Sequence, residues 1–90
     1  MREQELETKC CRIAELFGWH NFKGSSRNGG ADRIFFRGGR CFMVEFKVGK
    51  NKQQTNQKVE ESLMKMNGTP YYVVTSIEEM KEVLRCFQIL

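Results

Sequence analysis

Asp32, Glu45 and Lys47 are the residues whose types and spacing point most directly to chemistry. Hydrolysis of a phosphodiester needs an activated water, neutralisation of the scissile phosphate and assistance to the leaving oxygen. One or two divalent cations held by carboxylates meet all three needs, and paired ions sit about 4 Å apart. Mg²⁺ takes oxygen ligands and keeps several waters, so two or three carboxylates suffice. Asp32 and Glu45 would supply ligands, joined by the backbone carbonyl of Phe46. Lys47 would orient the attacking water or stabilise developing negative charge. The plainer alternative is a salt-bridge cluster around Lys47.

What brings these residues together is a hairpin. Asp32 to Lys47 reads as two apolar runs around Gly38-Gly39, a strong signal for a two-residue β-turn. A bulge-free hairpin on that turn pairs Arg37 with Arg40, Phe35 with Phe42, and Asp32 with Glu45. Opposed side chains lie about 5 Å apart at Cβ, and like charges placed so repel. Lys47 follows Glu45 by two positions and shares its face. Two carboxylates and an ammonium are thus gathered at the open end of the ribbon, an arrangement that calls for a cation. Ile34, Phe36, Cys41 and Met43 share that face, and Phe35, Phe42, Val44 and Phe46 share the other. Both faces are apolar, so the ribbon should be central with helices on both sides.

The remaining elements frame this hairpin. Residues 3–17 read as a helix with Leu6, Cys10, Ile13, Ala14 and Phe17 on its apolar face and Gly18 as its stop. Glu3 and Glu7 extend that stripe, either as ligands or as acids favoured at the positive end of a helix. Trp19–Phe22 reads as a short strand. Residues 23–30 form a small, polar, basic loop whose amides could meet phosphates, without P-loop spacing. A polar connection over 48–54 leads to a helix capped by Thr55 or Asn56 and ending before Gly68, with Val59, Leu63 and Met66 as its stripe. Tyr71–Val74 is a strand. Ser76 and Glu79 form a capping box for a last helix bearing Met80, Val83, Leu84 and Phe87. The order is α-β-β-β-α-β-α, with the final strand reached by a crossover and parallel to its neighbour.

Ninety residues make a single domain, 1–90, near the lower limit for a self-sufficient core, so self-association would be unsurprising. The net charge is +4, and the stretch from Lys23 to Lys52 holds eight Lys/Arg against Asp32 and Glu45. A basic centre around an acidic pair suits a polyanion, most simply nucleic acid, although an ordinary solvated surface would look alike. Cys10, Cys11, Cys41 and Cys86 lack zinc-site spacing, and Cys10, Cys41 and Cys86 fall on or beside apolar faces. The N-terminus is charged and no run resembles a signal or membrane segment, which leads to the expectation of a reduced, cytoplasmic protein.

These motifs together resemble the VRR-NUC family of the PD-(D/E)xK nuclease superfamily, especially its small stand-alone phage and prophage members. The resemblance spans nearly the whole chain: a Glu-bearing first helix, Lys23 at a strand end, Gly30-Ala31-Asp32, Glu45-Phe46-Lys47, a Gln opening the next helix, and the last strand and helix. Family members commonly have Pro before the Asp, where this chain has Ala31. The resemblance implies an α/β, restriction-endonuclease-like core with a mixed central sheet, and Mg²⁺- or Mn²⁺-dependent DNA cleavage. It further implies a homodimer acting on branched DNA such as Holliday junctions, in the host cytoplasm if phage-encoded. Asp32 and Glu45 match the metal ligands and Lys47 the catalytic lysine. Gln57 best matches the family's glutamine, with Gln53 as fallback. Glu7 fits the helix glutamate, with Glu3 in reserve. Phosphate contacts are expected from Lys23, Ser25, Ser26, Arg27, Lys50 and Lys52. The apolar end Phe87-Gln88-Ile89-Leu90 suits either a dimer contact or core packing. A non-catalytic nucleic-acid-binding module is the alternative; a thiol- or zinc-based role is disfavoured by the cysteine spacing.

Overall fold

The computed structural model describes residues 1–24, 33–48, 68 and 70–88. Helix α1 (Glu3–Leu16) leads through Trp19 into strand β1 (His20–Lys23). Strands β2 (Arg33–Arg37) and β3 (Arg40–Phe46) follow, then β4 (Tyr71–Val74) and helix α2 (Ile77–Gln88). The described elements keep the expected order; the helix expected over residues 55–67 lies outside the described residues.

Local chemistry sets the boundaries. Helix α1 ends in a Schellman turn: Gly18 sits at φ 86°, Trp19 N–H reaches the Ala14 carbonyl, and Gly18 N–H reaches that of Glu15. Gly38 and Gly39 both have positive φ (55° and 81°), as a two-residue primed turn demands. Helix α2 begins as its capping residues require, with Glu79 N–H donating to Ser76 Oγ. The Glu79 carboxylate turns one residue further back than a capping box would take it, accepting from the N–H and hydroxyl of Thr75.

The four strands form one mixed sheet in the order β1-β2-β3-β4. β1–β2 and β2–β3 are antiparallel, and β3–β4 is parallel, as a crossover connection predicts. The hairpin register runs without a bulge from Arg37↔Arg40 to Arg33↔Val44. On one face Phe35, Phe42, Val44 and Phe46 are fully buried with Leu6, Cys10 and Ala14 of α1 and Met80 and Leu84 of α2. Phe42 lies at the centre, its ring 4.9 Å from Trp19, 5.0 Å from Phe35, 4.7 Å from Phe87 and 5.9 Å from Tyr72.

Both described helices pack on the Phe42 face, and the third expected helix lies outside the described residues. The opposite face carries a stack of His20, Phe36 and Phe22, with Phe22 60% exposed. Phe17, expected in the core, is 44% exposed because the Schellman turn carries the chain away there; Trp19, just beyond, is buried instead. Cys41 and Cys86 are exposed, whereas Cys11 is buried beside Cys10. All four cysteines are free. Burial pushes the Cys10 thiol up to about 12 and that of Cys11 up to about 11.

Candidate active site at the end of β3

Strand β3 delivers the sequence-predicted residues to one end of the sheet. Glu45 is opposite Val73 of β4, fully buried, and a carboxylate at that depth has to be compensated by hydrogen bonds or positive charge. Phe46 pairs with Val74 and sends its ring into the core. Lys47 leaves the strand, fixed by its N–H donating to the Val74 carbonyl at 3.0 Å. Its mostly buried side chain runs to the start of α1, where Nζ lies 3.7 Å from Glu3 Oε1.

The two candidate helix glutamates stand one turn apart and have different partners. Glu3 meets Lys47 and is 38% exposed; Glu7 is 12% exposed and meets Arg33. Arg33 donates from Nε (3.3 Å) and Nη2 (3.2 Å) to Glu7 Oε2. Its Nη1 donates to Asn21 Oδ1 at 3.3 Å, and Asn21 Nδ2 donates to Glu15 Oε1 at 3.2 Å. Glu3, Gln4, Glu7 and Lys23 line an open cleft of about 370 Å³. Lys23 therefore stands beside the helix glutamates. Asp32, Gln57 and Gln53 lie outside the described residues, as do Ser25, Ser26, Arg27, Lys50 and Lys52. Among the described residues, no three His, Cys, Asp or Glu side chains are grouped to hold a cation. No described helix is long and apolar enough to cross a membrane.

With this geometry in place, one comparison bears on the fold. A solved structure titled "VRR_NUC domain" aligns with this chain at a TM-score of 0.84 and 22% identity, covering 92% of this chain and 94% of the other. This chain has the VRR_NUC fold. No protein-family model and no curated protein matches the sequence. Glu3, Glu7 and Glu45 offer only oxygen, which fits Mg²⁺ or Mn²⁺. The Cys10 and Cys11 thiols are buried among the core residues.

Sequence reasoning missed Arg33 and Asn21. Arg33 alternates onto the Phe35 face of β2, the face the helices cover, and that position was the available signal.

Proposed function

We propose that this chain is a divalent-metal-dependent DNA endonuclease that hydrolyses phosphodiester bonds and selects branched DNA such as Holliday junctions. The observation that carries this reading is the VRR_NUC fold over nearly the whole chain, with Glu45 and Lys47 at the strand end where the sequence pattern expects an ExK element. Asp32, Glu45 and the Phe46 carbonyl would hold the ion together with Glu7, Glu3 being the reserve. When bound, Mg²⁺ or Mn²⁺ supplies charge neutralisation at the phosphate and lowers the pKa of a coordinated water. Lys47, held by its backbone bond to Val74 and beside Glu3, presents an ammonium that orients the attacking water or stabilises negative charge on the phosphate. Gln57 assists in positioning that water. Lys23, Ser25, Ser26, Arg27, Lys50 and Lys52 grip the backbone of the DNA, so binding weakens steeply with salt. Two copies, each cutting one strand, would resolve a junction symmetrically.

The test is cleavage of a labelled four-way junction with Mg²⁺ or Mn²⁺ by wild type, Lys47→Ala and Asp32→Asn. Wild-type cutting that both substitutions abolish is expected. Metal-dependent cutting that survives both would overturn the site. DNA binding without any cutting would make the chain a non-catalytic binding module.

A further inference from the structure

We infer that Arg33, steadied by Asn21, is a positioning residue that grips one oxygen of Glu7 and leaves the other for the cation site. The inference rests on the proposed function and concerns residues to which the sequence pattern gives no role. An arginine paired fork-to-fork with a carboxylate donates to both oxygens. Here two guanidinium N–H groups converge on Oε2 of Glu7, at 3.2 and 3.3 Å. Among the described residues Oε1 has no hydrogen-bond partner, and Glu7 lines the cleft with Glu3, Gln4 and Lys23. Arg33 does not line that cleft, so it takes its oxygen from behind.

The guanidinium is itself fixed. Nη1 donates to Asn21 on β1, and Asn21 donates to Glu15 near the far end of α1. Helix, edge strand and hairpin are thereby tied through one chain of polar contacts. Arg33 opens β2, so one side chain ties that strand to the helix that bears the proposed ligand. Partners that orient a metal-binding carboxylate from behind commonly matter about 10–100-fold for metal affinity or activity.

The experiment measures Mn²⁺ binding to the free protein by calorimetry, single-turnover junction cleavage and thermal melting. Its variants are Arg33→Met, Arg33→Lys, Asn21→Ala, Glu7→Gln and the double variant Glu7→Gln/Arg33→Met. Arg33→Met should weaken Mn²⁺ binding and slow cleavage about 10–100-fold. Arg33→Lys should recover part of the loss, because it restores the charge without the paired donors. Asn21→Ala should lose less than Arg33→Met. The double variant should be no worse than Glu7→Gln, since residues acting through one another are non-additive. Wild-type Mn²⁺ affinity in Arg33→Met with only a lower melting temperature would overturn the inference, as would additive losses in the double variant. If Arg33→Met does not fold, unchanged Mn²⁺ affinity in both Arg33→Lys and Asn21→Ala overturns it. A wild type that cuts junctions while Arg33 proves dispensable refutes this inference alone; a wild type that neither binds Mn²⁺ nor cuts refutes the proposed function and this inference with it.

Discussion

Replacing Lys47 with alanine should remove most of the activity while the chain stays folded. In the resting protein, Nζ lies 3.7 Å from Glu3 Oε1, a pair whose carboxylate side is 38% exposed. Pairs of that kind contribute about 0.2–1 kcal/mol. The buried methylene stem adds on the order of 1 kcal/mol of packing. A loss of about 1–2 kcal/mol lowers the melting midpoint by about 5–15 °C in a domain of this size. A chain of this length has a total stability of roughly 5–13 kcal/mol, so at least about 3 kcal/mol remains. Less than about 1% of the variant is then unfolded at 25 °C. The loss in the transition state is far larger: removing one preorganised donor slows comparable reactions about 10²–10³-fold. The assay is single-turnover cleavage of a four-way junction at saturating Mn²⁺ and 25 °C, with circular dichroism melting on the same samples. DNA affinity should survive, its logarithmic salt dependence changing by no more than about 0.9, the effect of one phosphate contact. A rate within fivefold of wild type would refute the role of the ammonium. So would a loss of rate that follows the unfolded fraction.

Two further outcomes follow from the core. Phe42→Ala empties the centre of the ring cluster formed with Trp19, Phe35, Tyr72 and Phe87. It should cost about 3–5 kcal/mol in urea unfolding; a loss under 1 kcal/mol would show that this cluster is not the core's centre. Cys41 and Cys86 should react with a thiol reagent at once, and Cys10 and Cys11 only at the rate of unfolding; four equal rates would contradict the burial of the α1 thiols. Folded Cys10 and Cys11 keep their protons up to about pH 12 and 11, whereas the unfolded thiols release them near 9.0. The unfolded state then binds fewer protons, so stability is fully present below pH 9 and falls as pH rises from there. Cys10→Ala/Cys11→Ala should flatten that decline, and an unchanged slope would assign it to other groups.

Much of this fold is written locally. Gly38-Gly39 between two apolar runs determines both turn and register, because only a primed turn matches the strand twist. Gly18 and Ser76 mark helix ends through backbone groups a few residues away. The cysteines were misread because alternation and helical periodicity say which residues share a face, not which part of that face another element covers. Cys41 follows the turn and Cys86 lies in the last turn of α2, and both are exposed. For the candidate site, Glu45 and Lys47 were legible from their spacing. The choice between Glu3 and Glu7 was not, because it depends on long-range pairs: Lys47 with Glu3, and Arg33 with Glu7 across 26 positions. Periodicity carries no information about contacts at that range.

The parallel pairing of β3 with β4 also sets a timetable. On a ribosome adding about 5–20 residues per second, Glu45 and Lys47 emerge seconds before Val74. Until β4 arrives, the N–H groups of Met43 and Lys47 lack the Pro70 and Val74 carbonyls that receive them in the finished chain. The nascent hairpin therefore has an open edge where the completed sheet has an interior strand. A chain interrupted in that interval carries the ExK triplet without the backbone bond that fixes Lys47. It would present an adhesive edge rather than a working site. Under the proposed function, cutting begins only when the last strand has been made and docked.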